Sequence, residues 1–228
     1  MSEYALGPAY RAARERITVL VREAGGEAAS HRPVPATPIW TVHDVVAHLR
    51  GVVEDALKGN MAGAPGEAWT ATQVERGHKV SIEVLLEDWA DDSPMLEALL
   101  DGPAGAQLFA LLMDVHTHEQ DLRGALARPG ERTGPFYEWA VPRLTAGFRA
   151  RVIGADLPTV RVVMDSATLG DEDDPVELRV SDWEMFRLVL GRRSPAQIAN
   201  LRWSGTLDPG AYIAPMVVFG PAVHDVVE

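Results

Sequence analysis

An α+β fold, helical in its N-terminal part and α/β in a smaller C-terminal part, follows from three features of the 228-residue sequence. Apolar residues recur at three- and four-residue spacing up to about Val152. Runs of β-branched residues follow Ala155. Proline- and glycine-rich breaks separate the helical stretches.

The first helix is predicted from Pro8 to about Ala24, where Ile17, Leu20, Val21 and Ala24 share one face. His31–Trp40 (HRPVPATPIW) is expected to be an extended connector, because its three prolines cannot lie inside a helix. Thr41 reads as an N-cap with Asp44 at the third helical position, opening a helix that ends at Lys58 before Gly59-Asn60. A loop rich in Gly, Ala and Pro follows. Helical periodicity resumes over Val80–Leu100, with a break expected at Ser93-Pro94, and again over Ala104–Ala127, which Pro129-Gly130 terminates. A further helix covers Pro135–Val152. Beyond Gly154, LPTVRVVMD and VELRV read as strands, and Asp171–Asp174 as a solvated acidic turn between them. Ser181–Gly191 reads as a capped amphipathic helix and Ser194–Leu201 as a short one. The expected organisation is a bundle of about four long helices in residues 1–153 and a small α/β domain in 154–228.

Composition limits the function. With 21 Lys+Arg against 33 Asp+Glu the formal charge is −12, and neither half of the chain carries a basic excess. Binding to nucleic acid or to an anionic membrane surface is therefore not expected. No stretch approaches the ~18 apolar residues of a membrane span, and the charged N-terminus lacks the apolar core of a signal peptide. A cytoplasmic location is expected. The absence of cysteine excludes disulfides, thiolate metal ligands and a cysteine nucleophile, so any sulfur chemistry must use a thiol brought in by a small molecule.

Two helices carry candidate metal ligands. Positions four apart lie ~40° apart on a helix and share a face. Asp114 and His118 have that spacing, and Asp121 returns to the same line; His116 points roughly opposite. Asp44 and His48 repeat the pattern on the earlier helix, with Asp55 one heptad beyond His48 and His43 turned elsewhere. A lone helical histidine is usually a surface or hydrogen-bonded core residue, and an Asp four residues before a His is often a simple surface pair. Burying two imidazoles and a carboxylate together without a cation is costly, and bundles build metal sites from such facing stripes. Spacing alone leaves both readings open.

Sequence motifs add to this. PIWTVHDVVAHL (Pro38–Leu49) resembles the WTVxDVVxHL signature of the DinB-like, mycothiol-dependent maleylpyruvate isomerase family. DVHTHEQDLRGALARPG (Asp114–Gly130) is similar to the HEQDIRxALxxPG version in its actinobacterial members. LGRRSPAQI (Leu190–Ile198) and RWSG (Arg202–Gly205) fit that family's smaller domain, which is of the sterol-carrier-protein type. The resemblance covers nearly the whole chain. It implies a DinB-like four-helix bundle holding one divalent metal, typically zinc, through His48, Asp114 and His118; many relatives carry Glu where Asp114 stands. It also implies mycothiol as thiol cofactor or co-substrate, activated as a thiolate and added to an electrophilic small molecule in an isomerisation or S-transfer.

Around these ligands, Asp44 is either a hydrogen-bond partner of His48 or an N-terminal helix charge. Asp121 is expected in a structural pairing with Arg123 or a neighbouring helix, and Glu119 near the site's periphery or in solvent. Arg192 and Arg193 are candidate catalytic contacts to a substrate carboxylate, since guanidinium offers a bidentate fork; solvation of the helix end is the alternative. Trp40 is expected to be a core anchor. A metal-dependent hydrolase on the same bundle, with bound hydroxide in place of thiolate, and a non-catalytic metal- or thiol-binding, stress-related protein remain as alternatives. Neither the electrophile nor the oligomeric state is legible.

Overall fold

A computed structural model describes residues 4–103, 105–205 and 208–228, apart from the side chain of Ala106. The chain divides into two compact units, one ending at Pro129 and including Glu228, the other spanning Gly130–Val227. The fold is mixed, rich in helices, with one small sheet in the C-terminal unit.

In the N-terminal unit, α1 (Leu6–Glu23), α3 (Val42–Lys58), α5 (Ile82–Leu100) and α6 (Phe109–Ala125) are the long helices; α2 (Glu27–Ser30) and α4 (Glu67–Gly77) are shorter. Helix α1 packs on α5 and α6, and α3 packs on α4, α5 and α6, so the four long helices close a ring around one core. Its apolar filling includes Tyr10, Ile17, Val45, Leu49, Leu86, Trp89, Leu96 and Leu112.

The cap at Thr41 forms as a full capping box: Asp44 accepts from the Thr41 backbone N–H at 2.8 Å, and the Thr41 hydroxyl accepts from Asp44 N–H. Gly59, at φ +74°, closes α3 in the left-handed conformation. Helix α5 starts two residues later than the periodicity suggests, at Ile82 after the Ser81 cap, and runs through Pro94 unbroken. Ser93 donates its hydroxyl proton to the Trp89 carbonyl at 2.5 Å. Buried Trp89 before the proline and Leu96 and Leu100 after it hold both halves against the core. Packing overrides the local penalty. The expected start at Ala104 lies outside the described residues; Gly105–Gln107 form a 3-10 turn ahead of α6.

Two further segments differ from expectation. His31–Trp40 is folded back rather than extended: Pro33 and Thr41 form a bridge, and Val34 N–H bonds to Trp40 C=O at 2.9 Å. The stretch after Gly66, expected to be loop, forms α4.

The C-terminal unit comprises α7 (Pro135–Gly154), β1 (Val160–Val163), β2 (Thr168–Leu169), β3 (Val176–Arg179), α8 (Asp182–Val189), α9 (Pro195–Ala199), β4 (Arg202–Ser204) and α10 (Ile213–Met216). The sheet order is β2-β1-β3-β4, with β1 and β3 parallel and the outer pairs antiparallel. The expected boundary at 153/154 marks where helix gives way to strand, but the compact unit begins upstream at Gly130. The cause is α7, whose Phe136 and Tyr137 rings lie 5.3 and 5.5 Å from Phe186 of α8. Asp174, expected in solvent, is 3.0 Å from Arg149 of α7; burial alone raises its pKa, but hydrogen bonds from Thr159 and the Asp171 backbone, with Arg149, bring it below the usual value.

A candidate metal centre between two helices

Helix α3 contributes His48, and α6 contributes Asp114 and His118. One potential donor atom from each lies within 4.8 Å of the other two. His48 Nε2 is 3.4 Å from Asp114 Oδ2, and His118 Nε2 is 3.5 Å from Asp114 Oδ1. Both imidazoles are buried, whereas the Asp114 side chain keeps 30% exposure and forms the accessible side of the cluster. Burial pushes the His118 pKa below its ordinary value, against the opposing pull of Asp114 and Asp121. The neutral form, which has a lone pair to give, is thereby favoured.

Each imidazole is anchored through its other nitrogen. His118 Nδ1 lies 2.9 Å from Asp121 Oδ2. His48 Nδ1 is 2.7 Å from Gln73 Oε1, on α4. Gln73 in turn donates from Nε2 to Asp55 at 2.8 Å, and Asp55 pairs with Arg76 at 3.0 Å. Asp121 therefore faces the site instead of pairing with Arg123. Asp44 is occupied by the helix cap, which settles its alternatives in favour of the N-terminal role. Asp55 joins the His48 face as the heptad spacing suggests.

Trp40 is more than a core anchor. Its ring lies 5.0 Å from the His48 ring and 5.8 Å from that of His118, and the two imidazoles are 5.0 Å apart in an edge-on arrangement. Trp69 meets His48 edge-on at 6.4 Å. Tyr10 is buried, accepts a hydrogen bond from Trp89, and has its pKa raised by burial, with the Asp114 charge adding to the shift.

The remaining candidates serve other ends. His116 points away, as the helical wheel requires; burial and then the Arg16 charge hold its pKa well below the usual value, against a hydrogen bond with the Ala9 backbone. Glu119 is fully buried rather than solvent-facing, and ties α1 to α6 through Arg16 at 2.6 and 2.8 Å and Arg123 at 3.0 Å. His43 Nε2 is 2.8 Å from the Val80 carbonyl. Arg193, in the C-terminal unit, spends its fork on Glu184 at 2.6 and 2.8 Å, with its guanidinium over the Trp183 ring at 5.1 Å. Arg192 donates to the Leu190 carbonyl at 2.9 Å. Arg193 is buried in these contacts instead of being solvated at the helix end.

Gln73 is the residue that the sequence reading missed. Its signal was faint: Trp69, Gln73 and Gly77 recur every fourth residue, but the stretch sits between Pro65-Gly66 and Gly77 and lacks large aliphatic side chains.

Two buried imidazoles and one partly exposed carboxylate, carried by neighbouring helices, define a candidate metal-binding helical protein. The chain belongs to the family described as the mycothiol maleylpyruvate isomerase N-terminal domain, whose model matches residues 10–171. No curated protein and no solved structure matches the chain. Among the described residues, no helix is long and apolar enough to cross a membrane.

Proposed function

We propose that this chain is a metal-dependent enzyme that takes mycothiol as its thiol and joins it to an electrophilic small molecule, by isomerisation or S-transfer. The reading places a DinB-like bundle in the N-terminal unit, a sterol-carrier-protein-like unit after it, and the activity in the cytoplasm, with neither nucleic acid nor membrane as partner. The observation that carries it is the convergence of His48, Asp114 and His118 in a chain of this family.

The donor set suits a divalent ion. Two nitrogens and one carboxylate oxygen are the ligands that zinc takes in open catalytic sites, and hard cations that prefer all-oxygen shells fit less well. Held there, such an ion supplies Lewis acidity and lowers the pKa of a thiol so that it reacts as thiolate. The chain's own residues do the rest. Gln73 and Asp121 hold the Nδ1 sides of the imidazoles, directing both Nε2 atoms towards Asp114. Trp40 packs at a tilt against both imidazole rings and restricts their movement on that side. Asp114, with 30% of its side chain exposed, is the ligand on the side from which a thiol would approach. The absence of cysteine fits an external sulfur nucleophile. Elimination after rotation returns the thiol in an isomerisation; retention of the new C–S bond gives a transferase.

Metal analysis of the purified protein followed by mycothiol titration tests the proposal. About one equivalent of zinc is expected, lost in His48→Ala and in His118→Ala, with saturable mycothiol binding only in the metal-loaded form. Folded protein that takes up no metal overturns the reading. Hydrolysis that proceeds without thiol assigns the site to a hydrolase, and thiol binding without turnover on a panel of electrophiles assigns it to a binding protein.

A further inference from the structure

We infer that Gln73 is a positioning residue that fixes the tautomer of His48, through a relay running from the partly exposed Arg76 to buried Asp55, Gln73 and His48. Donors and acceptors along the chain of contacts leave one arrangement. Arg76 has only protons to give, and it lies 3.0 Å from Asp55 Oδ1. Asp55, paired with that cation and almost wholly buried, is a carboxylate that only accepts. The amide group of Gln73 that faces Asp55 must therefore be its NH2, at 2.8 Å, which turns the amide oxygen towards His48. At 2.7 Å from that oxygen, His48 Nδ1 must carry the proton. In the neutral ring the lone pair is then on Nε2, the atom directed at Asp114. A charge that cannot be removed, at the far end of α4, dictates which nitrogen faces the cluster.

The backbone is shaped to admit this relay. A Cβ on Gly51 of α3 would stand 2.6 Å from the Gln73 Cβ, and a Cβ on Gly77 of α4 would stand 2.4 Å from the Ala47 Cβ. Glycine three residues after His48, and again four residues after Gln73, lets α4 approach α3 closely enough for the amide to reach the imidazole. Gln73 is itself buried, with 1% of its surface exposed. The two imidazoles thus differ in their outer partners, a neutral amide behind His48 and a carboxylate behind His118.

The part of this inference that concerns metal affinity rests on the proposed function; the tautomer does not. Nitrogen-15 NMR of the ring nitrogens in the full-length, metal-free protein reads it directly. Wild type is expected to show the Nδ1–H form of His48. Gln73→Met is expected to shift the population to Nε2–H, and Asp55→Asn, which frees the amide to turn over, to give a mixture. The double variant Asp55→Asn/Gln73→Glu is expected to restore Nδ1–H, because the new carboxylate can only accept from the ring. Circular dichroism establishes that each variant is folded. In a zinc competition assay Gln73→Met is expected to bind about ten- to a hundredfold more weakly than wild type, with the double variant recovering affinity. An Nε2–H tautomer in wild type, no tautomer change in Gln73→Met, or affinity unchanged in a variant whose tautomer has changed overturns the role of Gln73. Zinc binding that survives His48→Ala removes the metal reading instead, and leaves the tautomer measurement as the judge of the relay.

Discussion

At the scale of single residues, the cluster is defined as much by what stands behind each ligand as by the ligands. A metal-ligating imidazole almost always donates its other N–H to a partner that fixes its tautomer and orientation. Gln73 and Asp121 provide those partners on the two sides. Trp40, lying 5.0 and 5.8 Å from the two rings, is close enough to sense any charge placed between them. Addition of zinc is expected to change tryptophan emission, and Trp40→Phe to remove most of that change while leaving zinc stoichiometry intact; a fluorescence titration decides. Arg193 gives a contrasting expectation. Arg193→Ala should lower the stability of the C-terminal unit by about 1–3 kcal/mol, because it strips a charge-assisted bidentate contact from Glu184. It should leave zinc affinity unaltered, which chemical denaturation and metal titration together check.

At the scale of elements, α4 acts as the brace of the site and α6 as its carrier. Helix α4 touches α3 through glycines. Replacing either Gly51 or Gly77 by Ala forces the helices apart or the side chains off their rotamers, at a cost of about 1–3 kcal/mol in thermal stability. Of the two, Gly51→Ala is expected to weaken zinc binding more, since its new methyl meets Gln73 itself. Helix α6 is buried on every face from Val115 to Leu122, including His116, Glu119, Gln120 and Asp121. Its polar residues therefore all require partners. Glu119→Ala is expected to destabilise the protein by about 1–3 kcal/mol, held down because Arg16 and Arg123 keep some access to water once released. Urea denaturation measures it. The wheel of α6 places Asp114, His118 and Asp121 on one line, but with every residue from Val115 to Leu122 buried it does not say what the other polar groups meet, and Glu119 proves to be buried against Arg16. The capping box at Thr41, in contrast, involves only residues three apart and follows from local sequence.

At the scale of the whole molecule, the candidate centre joins α3 to α6, two of the helices that close the N-terminal ring. A ligand that binds only the folded form stabilises it in proportion to its saturation. Zinc at a hundred times its Kd is expected to add about 2.7 kcal/mol, seen by calorimetry as a raised melting temperature. The gain should vanish in His118→Ala. With two compact units present, separate transitions in the thermogram should show the shift in the N-terminal one.

By itself, the sequence determined a mixed, helix-rich fold, the ends of most helices, and the two helical stripes that carry candidate ligands; resemblance to a family singled out His48, Asp114 and His118 among them. Caps, periodicities and four-residue spacings are local and survive in a linear string. Only the tertiary structure decided that α5 passes through Pro94, that α7 packs with α8, that the connector folds back to set Trp40 over the imidazoles, and that Gln73 stands behind His48. Each of these depends on contacts between residues distant in the chain. Their energies come from burial and from partners that the spacing of a single segment does not encode.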